Sequence, residues 1–214
     1  MQRLRLKYGR TEAARYISHL DSMRAWERIF RRAGVPLDYT RGFTPHPRLA
    51  VASPLPVGFT SSAELMDIWV RKWMPPDAAY MAIREQLPQG FTLESVIEVP
   101  LTLGSLQSKV CAARYTCVAQ HPQGLAGAQH AAAALLDSET WVFEYSRGEE
   151  RRSIDVRPFL LGLEIREGDG GSCCIDLHVK HGQEGSVRPD HILAVLGFCE
   201  PAESIHRISL SIEP

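Results

Sequence analysis

The apolar residues of this chain follow an order of periodicities that few folds can satisfy. Within the first hundred residues, strand-like alternation and helical spacing of apolar residues occur in turn. The strands are predicted at 3–8, 37–40, 63–73 and 91–99, and the helices at 18–33 and 76–87. The order strand, helix, strand, strand, helix, strand is that of the ferredoxin-like fold, in which two helices cover one face of an antiparallel sheet.

The second half of the chain repeats this order with one additional strand. Its strands are predicted at 109–119, 141–146, 159–166, 172–180 and 204–212, and its helices at 125–136 and 189–196. A length of 214 residues fits two domains of about 100 residues each. We therefore predict an α+β protein with a duplicated fold, made of two ferredoxin-like halves at 1–100 and 109–214 and a linker at 101–108.

The cysteines and the hydropathy pattern argue against several classes of protein. None of the five cysteines is spaced as CxxC or CxxxCxxC, which disfavours a zinc knuckle, an iron–sulfur cluster and a secreted disulfide framework. Apolar runs are far shorter than the ~20 residues that cross a bilayer, and the first residues alternate basic with apolar side chains, unlike a signal peptide. We expect a cytoplasmic protein without a metal or other cofactor and without membrane association.

Positive charge is concentrated in the first quarter of the chain. Residues 1–50 contain eleven Lys and Arg against four Asp and Glu, so this segment carries +7 while the whole chain carries −1. Ten of the eleven are arginines, whose planar guanidinium suits phosphate and base recognition better than an ammonium group does. This asymmetry predicts an anionic partner for the N-terminal quarter.

The first predicted helix carries a stripe of arginines opposite its apolar face. Arg24, Arg28 and Arg31 follow one another at i, i+4 and i+7, with Arg32 beside them. The apolar face is formed by Leu20, Met23, Trp26, Phe30 and Ala33. The stripe is either a solvated helix face or a phosphate-binding surface.

The start of this helix contains a capping pattern and further candidate binding residues. Ser18 with Asp21 three residues later matches a capping box, with Asp in place of Glu. His19 falls in the first turn, where unpaired backbone N–H groups attract anions. Arg15 and Tyr16 come just before it and are candidates for RNA contact. The alternative is that His19 packs at the helix start and bonds Asp21 or a carbonyl.

A proline-rich stretch after this helix is the most unusual segment. The candidate ligand-binding residues in it are Arg41, Phe43, His46 and Arg48. Prolines on both sides of His46 favour an extended, stiff backbone that holds these side chains in fixed directions. Phe43 is a candidate for stacking on a base. The alternative is a crossover that tucks Phe43 into the core.

In the second half, two arginines occupy comparable positions. Asp155 and Arg157 lie two residues apart in a segment expected to be extended, so they either pair with each other or present Arg157 to a ligand. Arg188 precedes Pro189 at a predicted helix start, where it either contacts a phosphate or caps the helix. Both arginines are candidate RNA contacts.

Several stretches together resemble one specific family. These are 15–21, 32–37, 39–48 and 55–58 in the first half, and 154–158, 186–189 and Arg207 in the second. They are similar to a radical-SAM-associated domain family of unknown function, whose members occur alone or fused after a radical SAM enzyme. The resemblance implies a radical SAM protein as partner and a role near RNA processing. Without the CxxxCxxC motif, this chain is not itself the radical enzyme.

Three functions remain as alternatives from the sequence. The first is an RNA-binding accessory protein that presents ribosomal or transfer RNA to a radical SAM partner. The second is a metal-independent endoribonuclease in which His19 and His46 act as base and acid on one phosphate. The third is a protein-interaction domain that binds no RNA. Because standard catalytic motifs such as the P-loop, HExxH and GxSxG are missing, we favour a protein that is not an enzyme.

Overall fold

The structure is a computed structural model that describes residues 1–148, 150–182 and 185–213. The chain forms two compact units. Unit 1 contains Met1–Val110 together with the residues from Ile212 onward, and unit 2 contains Cys111–Ser211. Each unit combines antiparallel strands with two of the four α-helices of the described residues, so the protein is α+β.

Unit 1 follows the predicted order of elements closely. Its elements are β1 (Gln2–Arg10), α1 (His19–Arg32), β2 (Leu49–Val51), β3 (Thr60–Val70), α2 (Pro76–Arg84) and β4 (Phe91–Val99). The strands lie in the order β4-β1-β3-β2, and all neighbours are antiparallel. The register sets Gln2 opposite Val70 and Arg10 opposite Ser61. We call these two ends of the sheet the Val70 end and the Arg10 end.

The core of unit 1 lies between the sheet and its helices. Alternate residues of β1, namely Leu4, Leu6 and Tyr8, are buried against α1, whose Trp26 and Phe30 are fully buried. The Trp26 ring meets Tyr8 edge-on at 4.8 Å and stacks on Phe30 at 5.4 Å. Aromatic pairs of this kind add to the burial energy of the rings. This packing fixes which side of α1 faces solvent.

The apolar face of α1 differs from the predicted one at its start. Leu20 is 60% exposed, whereas Ile29, which was not included in the predicted stripe, is fully buried. The helix turns 100° per residue, so a stripe centred on Trp26 and Phe30 takes in Ile29 and leaves Leu20 on the solvent side.

The second strand of unit 1 is not where the alternating pattern predicts it. Segment 37–40 makes only isolated bridges, from Leu37 to Val70 and from Tyr39 to Pro47, and the strand itself is Leu49–Val51. The prolines limit pairing here because they lack a backbone N–H. Segment 37–48 therefore forms a long hairpin-like loop at the Val70 end.

The opposite face of β1 carries a buried ionic cluster. Asp67 of β3 is fully buried and accepts hydrogen bonds from Arg3 Nε at 2.9 Å and from Arg5 Nε at 2.7 Å. Arg3 also donates to the backbone carbonyls of Leu103 and Gly104. Two of the N-terminal arginines therefore belong to the interior, and the exposed charge is smaller than the count over residues 1–50 indicates.

Unit 2 contains the same strand order and an added hairpin. Its elements are β5 (Val110–Ala119), α3 (Gly124–Asp137), β6 (Val142–Arg147), β7 (Glu150–Asp155), β8 (Leu160–Glu167), β9 (Cys173–Gly182), β10 (Gly185–Ser186), α4 (Pro189–Val195) and β11 (Ser204–Ile212). The main strands lie in the order β8-β9-β5-β11, which corresponds to β2-β3-β1-β4 of unit 1. β10 pairs with the end of β9. β6 and β7 form a separate two-stranded hairpin, which accounts for the additional strand.

Candidate functional site

The ends of α1 are fixed by local interactions that the sequence predicts. Ser18 Oγ accepts a hydrogen bond from the backbone N–H of Asp21 at 3.1 Å and donates to its carboxylate at 2.7 Å. The predicted cap is confirmed. At the other end, Gly34 adopts φ +66°, and Val35 N–H donates to the carbonyl of Phe30, which closes the helix. The helix is a rigid support for the side chains on its outer face.

Three arginines on the outer face of α1 point into solvent. Arg24 is exposed and lies 3.5 Å from Asp21, whereas Arg28 and Arg31 make no hydrogen bond or ion pair with any described residue. We call Arg24, Arg28 and Arg31 the helix stripe. Like charges at this spacing cost a few tenths of a kcal/mol, roughly 0.2–0.5 per pair. Of the three, only Arg24 has an acidic partner among the described residues, so the guanidinium groups of Arg28 and Arg31 are open to solvent.

The residues just before α1 divide into a structural and an exposed group. Arg15 Nε donates to the carbonyl of Gly58 at 2.7 Å, so this guanidinium holds the loop after β2. It also lies 5.4 Å from the ring of Tyr16, which is 73% exposed. His19 is exposed in the first turn. Arg10 donates to the carbonyls of Arg15 and Ile17, which ties this segment to the Arg10 end.

The loop 37–48 is closed at its base and exposed at its tip. Thr40 N–H donates to the carbonyl of His46 at 2.8 Å, and His46 N–H donates to Thr40 Oγ1 at 3.0 Å. Residues 41–46 are all exposed, and Phe43 is as exposed as in an extended chain. The alternative that Phe43 packs into the core is wrong. Arg41 makes no hydrogen bond or ion pair within the described part of the chain.

Arg48 is held in place at the base of this loop. Its Nη1 donates to Asp38 Oδ2 at 3.0 Å, and its guanidinium lies 4.9 Å from the centre of the Trp69 ring. The hydrogen bond from Arg48 lowers the pKa of Asp38, so this carboxylate stays ionised. Arg48 is half-exposed, and one of its faces is occupied by Asp38 and Trp69.

Further aromatic and basic residues that were not predicted lie at the same end of the sheet. Trp73 is 67% exposed, and Tyr39 is 40% exposed with Arg71 at 5.4 Å from its ring. We call the group Tyr39, Arg41, Phe43, Arg48, Arg71 and Trp73 the aromatic–basic end. The sequence signal was the run Arg71-Lys72-Trp73 directly after a strand, where a large aromatic residue has no core to enter.

The two candidate histidines lie at opposite ends of unit 1. His19 begins α1 beside the Arg10 end, and His46 pairs with Thr40 beyond the Val70 end. Eight residues of β1 separate these ends, or roughly 26 Å at 3.3 Å per residue. His19 and His46 therefore do not converge on one phosphate, and the endoribonuclease alternative that uses this pair is wrong.

The two candidate arginines of unit 2 have internal partners. Arg157 donates to the carbonyls of Leu136, Ser138 and Leu160 at 3.1 to 3.3 Å, which ties it to the end of α3. Asp155 accepts from the backbone N–H of Trp141 and of Arg157, so the two side chains do not pair with each other as the alternative required. Arg188 makes two hydrogen bonds to Asp190, at 2.9 and 2.6 Å.

Metal-binding clusters and membrane-spanning helices are both absent from the described residues. No cluster of three or more His, Cys, Asp or Glu side chains among them is arranged to hold a metal ion. The helices of the described residues are all too short or too polar to cross a membrane.

A chain of one solved complex has a similar fold, and a chain of a second complex matches more weakly. A chain from the crystal structure of a Cbf5-Nop10-Gar1 complex matches with a TM-score of 0.55 and 9% identity, over 99% of this protein and 50% of that chain. A chain from the archaeal box H/ACA sRNP Nop10-Cbf5 complex matches with a TM-score of 0.45 and 12% identity, over 95% and 46% respectively. The protein therefore spans about half the length of the chains it resembles.

Sequence comparison identifies the family. No curated protein sequence is significantly similar to the chain. A family model covers residues 3–189, which includes both the helix stripe and the loop 37–48. The chain therefore belongs to the family described as "Uncharacterized protein conserved in bacteria (DUF2344)".

Proposed function

We propose that unit 1 binds RNA and that the helix stripe holds its phosphates. The observation that carries this proposal is the exposure of Arg24, Arg28 and Arg31 along one helix, where Arg28 and Arg31 have no partner among the described residues. The stripe extends about 10 Å along the helix, which is room for more than one phosphate. Guanidinium groups bind phosphate through paired N–H donors and keep their charge at every physiological pH.

Neighbouring residues support the same reading. Tyr16 and His19 lie exposed at the start of α1, where an aromatic face and an imidazole can contact a ribose or base. At the Val70 end, Arg41 and Arg48 add positive charge on a loop whose base is closed by hydrogen bonds. The arginines of unit 2, Arg157 and Arg188, are outside the proposed surface because their donors already have partners.

The biological setting that we propose comes from the family resemblance. A radical SAM protein would be the partner, and ribosomal or transfer RNA the nucleic acid. The chain supplies no CxxxCxxC motif, so its role would be to bind and present RNA while the partner performs the chemistry. We also propose that the shared strand orders, β4-β1-β3-β2 and β8-β9-β5-β11, reflect two ferredoxin-like halves from one duplicated unit.

Binding of the purified protein to bulk cellular RNA at two salt concentrations tests the proposal. We expect wild-type binding that weakens as salt rises, and a loss of about tenfold or more in Arg24→Glu/Arg28→Glu. The matched control is Arg114→Glu/Arg151→Glu, which makes the same charge change at two exposed arginines of unit 2.

Two outcomes would contradict the proposal. The first is equal loss of binding in both double variants, which would mean that only net charge matters. The second is no wild-type binding even at low salt, which would favour the protein-interaction alternative, with the arginines docking an acidic protein surface.

A further inference from the structure

We infer that the aromatic–basic end binds unpaired bases, so that the RNA recognised by unit 1 is single-stranded at this position. This inference rests on the proposed function and names the class of RNA. It draws on Trp73, Tyr39 and Arg71, which the phosphate-binding proposal does not use.

The residues of this end are brought together by backbone pairing. Asp38 N–H donates to the carbonyl of Trp69 at 2.7 Å, and Arg71 N–H donates to that of Pro36 at 2.8 Å. These two bonds fix Tyr39 and Arg71 side by side, as their 5.4 Å contact shows.

Trp73 is fixed to the same end by a separate pair of bonds. The side-chain amide of Gln2 donates to the carbonyl of Met74 and accepts from its N–H, at 3.1 and 3.0 Å. Gln2 lies opposite Val70 in the sheet, so Trp73 lies at the Val70 end with Tyr39. Tyr39 and Trp73 are thus held next to the sheet, whereas Phe43 is carried at the exposed tip of the loop 37–48.

The exposure of these rings is not explained by the fold of unit 1. Its core is complete around Trp26, Phe30 and Phe91, yet Trp73 and Phe43 remain 67% and 110% exposed. A large aromatic ring left in water forfeits a substantial hydrophobic gain. Exposed apolar groups that cluster on one part of a surface mark a binding site.

The charge around the rings favours an anionic ligand, and its combination with exposed rings favours a nucleic acid. Arg41, Arg48, Arg71 and Lys72 carry four positive charges at this end, where Asp38 pairs with Arg48 and Arg71, and Glu98 accepts a hydrogen bond from Gln2. Cations next to stacking rings are the combination that single-stranded nucleic-acid sites use, with rings for bases and cations for the backbone. The cations alone would also suit a duplex.

The rings, however, discriminate between single strands and duplexes. In a duplex each base is stacked between its neighbours, and a side chain cannot reach its face without unstacking it. An unpaired base offers both faces. Phe43 at the tip of a proline-stiffened loop, and Trp73 three residues beyond the end of β3, can meet such faces at little entropic cost.

Fluorescence anisotropy with two labelled probes tests the inference. The first probe is an unstructured RNA of about 12 nucleotides, within the size range of single-strand sites, and the second is the same strand annealed to its complement. We expect wild type to prefer the single strand, and Phe43→Ala/Trp73→Ala to lose about 10- to 100-fold in single-strand affinity with duplex affinity unchanged. Phe43→Tyr/Trp73→Phe, which keeps an aromatic ring at both positions, should retain most of the single-strand affinity.

The control variants separate this inference from the proposed function. Met81→Ala/Ile97→Ala removes two exposed apolar side chains elsewhere on unit 1 and should bind both probes as wild type does. Arg24→Glu/Arg28→Glu should weaken both probes. Equal loss of both probes in Phe43→Ala/Trp73→Ala, or no loss of either, would overturn the inference while RNA binding stands. Failure of wild type to bind either probe would overturn the proposed function as well.

Discussion

The arginines predicted as RNA contacts on α1 and in unit 2 are used in different ways. In unit 1, Arg28 and Arg31 reach into solvent without a partner among the described residues. In unit 2, Arg157 donates hydrogen bonds to three backbone carbonyls, and Arg188 donates to the carboxylate of Asp190. All four were candidate RNA contacts from sequence. The difference shows that an arginine whose donors are held by the fold is less available to a ligand than one that extends into solvent.

The same distinction applies within unit 1. Arg3 and Arg5 are buried on Asp67, whereas the helix stripe is open. A charge count over residues 1–50 adds the buried arginines to the exposed ones, although of these two groups only the helix stripe can contact a phosphate. Substitutions that separate internal arginines from open ones therefore test the comparison.

The largest expected effect is on stability, from Asp67→Ala. This change leaves the buried guanidinium groups of Arg3 and Arg5 without their carboxylate, and loss of one partner of a buried ion pair costs about 3–5 kcal/mol. Urea unfolding would measure it. The control is Arg3→Met/Arg5→Leu/Asp67→Leu, which removes the charges together and should cost much less. A small loss in Asp67→Ala would show that Arg3 and Arg5 are not internal in the sense argued here.

A smaller effect is expected from Arg157→Ala. Three backbone carbonyls at the end of α3 and the start of β8 lose their donor, which should lower the free energy of unfolding by about 1–3 kcal/mol. The matched change in unit 1, Arg28→Ala, should alter stability by no more than about 0.5 kcal/mol because its donors have no protein partner. RNA affinity should show the reverse order. A stable Arg157→Ala that binds RNA weakly would break the comparison.

The smallest expected effect is a pH dependence that belongs to unit 2. Burial lowers the pKa of His178, His181 and His191, and nearby Arg114 and Arg207 act in the same direction on the first two. Each of these histidines therefore gains a proton at a lower pH in the folded protein than in the unfolded chain, where the pKa of histidine is 6.5. The stability that these histidines contribute is therefore complete above pH 6.5. It is lost as the pH falls below 6.5 towards their lower pKa in the folded state.

Urea unfolding at about pH 7.5 and about pH 5.5 checks this prediction. Wild type should be less stable at the lower pH, and His178→Gln/His181→Gln/His191→Gln should show a smaller difference between the two. An equal pH dependence in wild type and variant would assign the proton uptake to other groups.

What could be predicted from the sequence depends on how local the interaction is. Ser18 and Gly34 act on residues within one helical turn, so the limits of α1 were predicted almost to the residue. The position of β2 depends on pairing with β3, across a loop that no local pattern describes. For this reason 37–40 was predicted as the strand and Leu49–Val51 was missed.

Prediction of the candidate site depended on local interactions in the same way. The helix stripe follows from spacing on one helix, and Phe43 from an unusual run of prolines. Trp73 was missed because alternation makes it look like the end of a buried strand, whereas β3 ends at Val70 and leaves the ring exposed. Arg157 was predicted as a contact because its partners are backbone carbonyls that no motif shows. Arg188 was predicted as one although its partner, Asp190, lies only two residues away, so a local pairing was missed.

The most direct test of the central claim is the salt dependence of RNA binding by Arg24→Ala/Arg28→Ala/Arg31→Ala. Each phosphate contact contributes about 0.7 to 0.9 to the slope of log affinity against log salt concentration. If the helix stripe holds phosphates, the slope of the variant should be shallower than that of wild type by about two to three. If the affinity and the slope both remain those of wild type, the stripe does not bind RNA and the claim is contradicted.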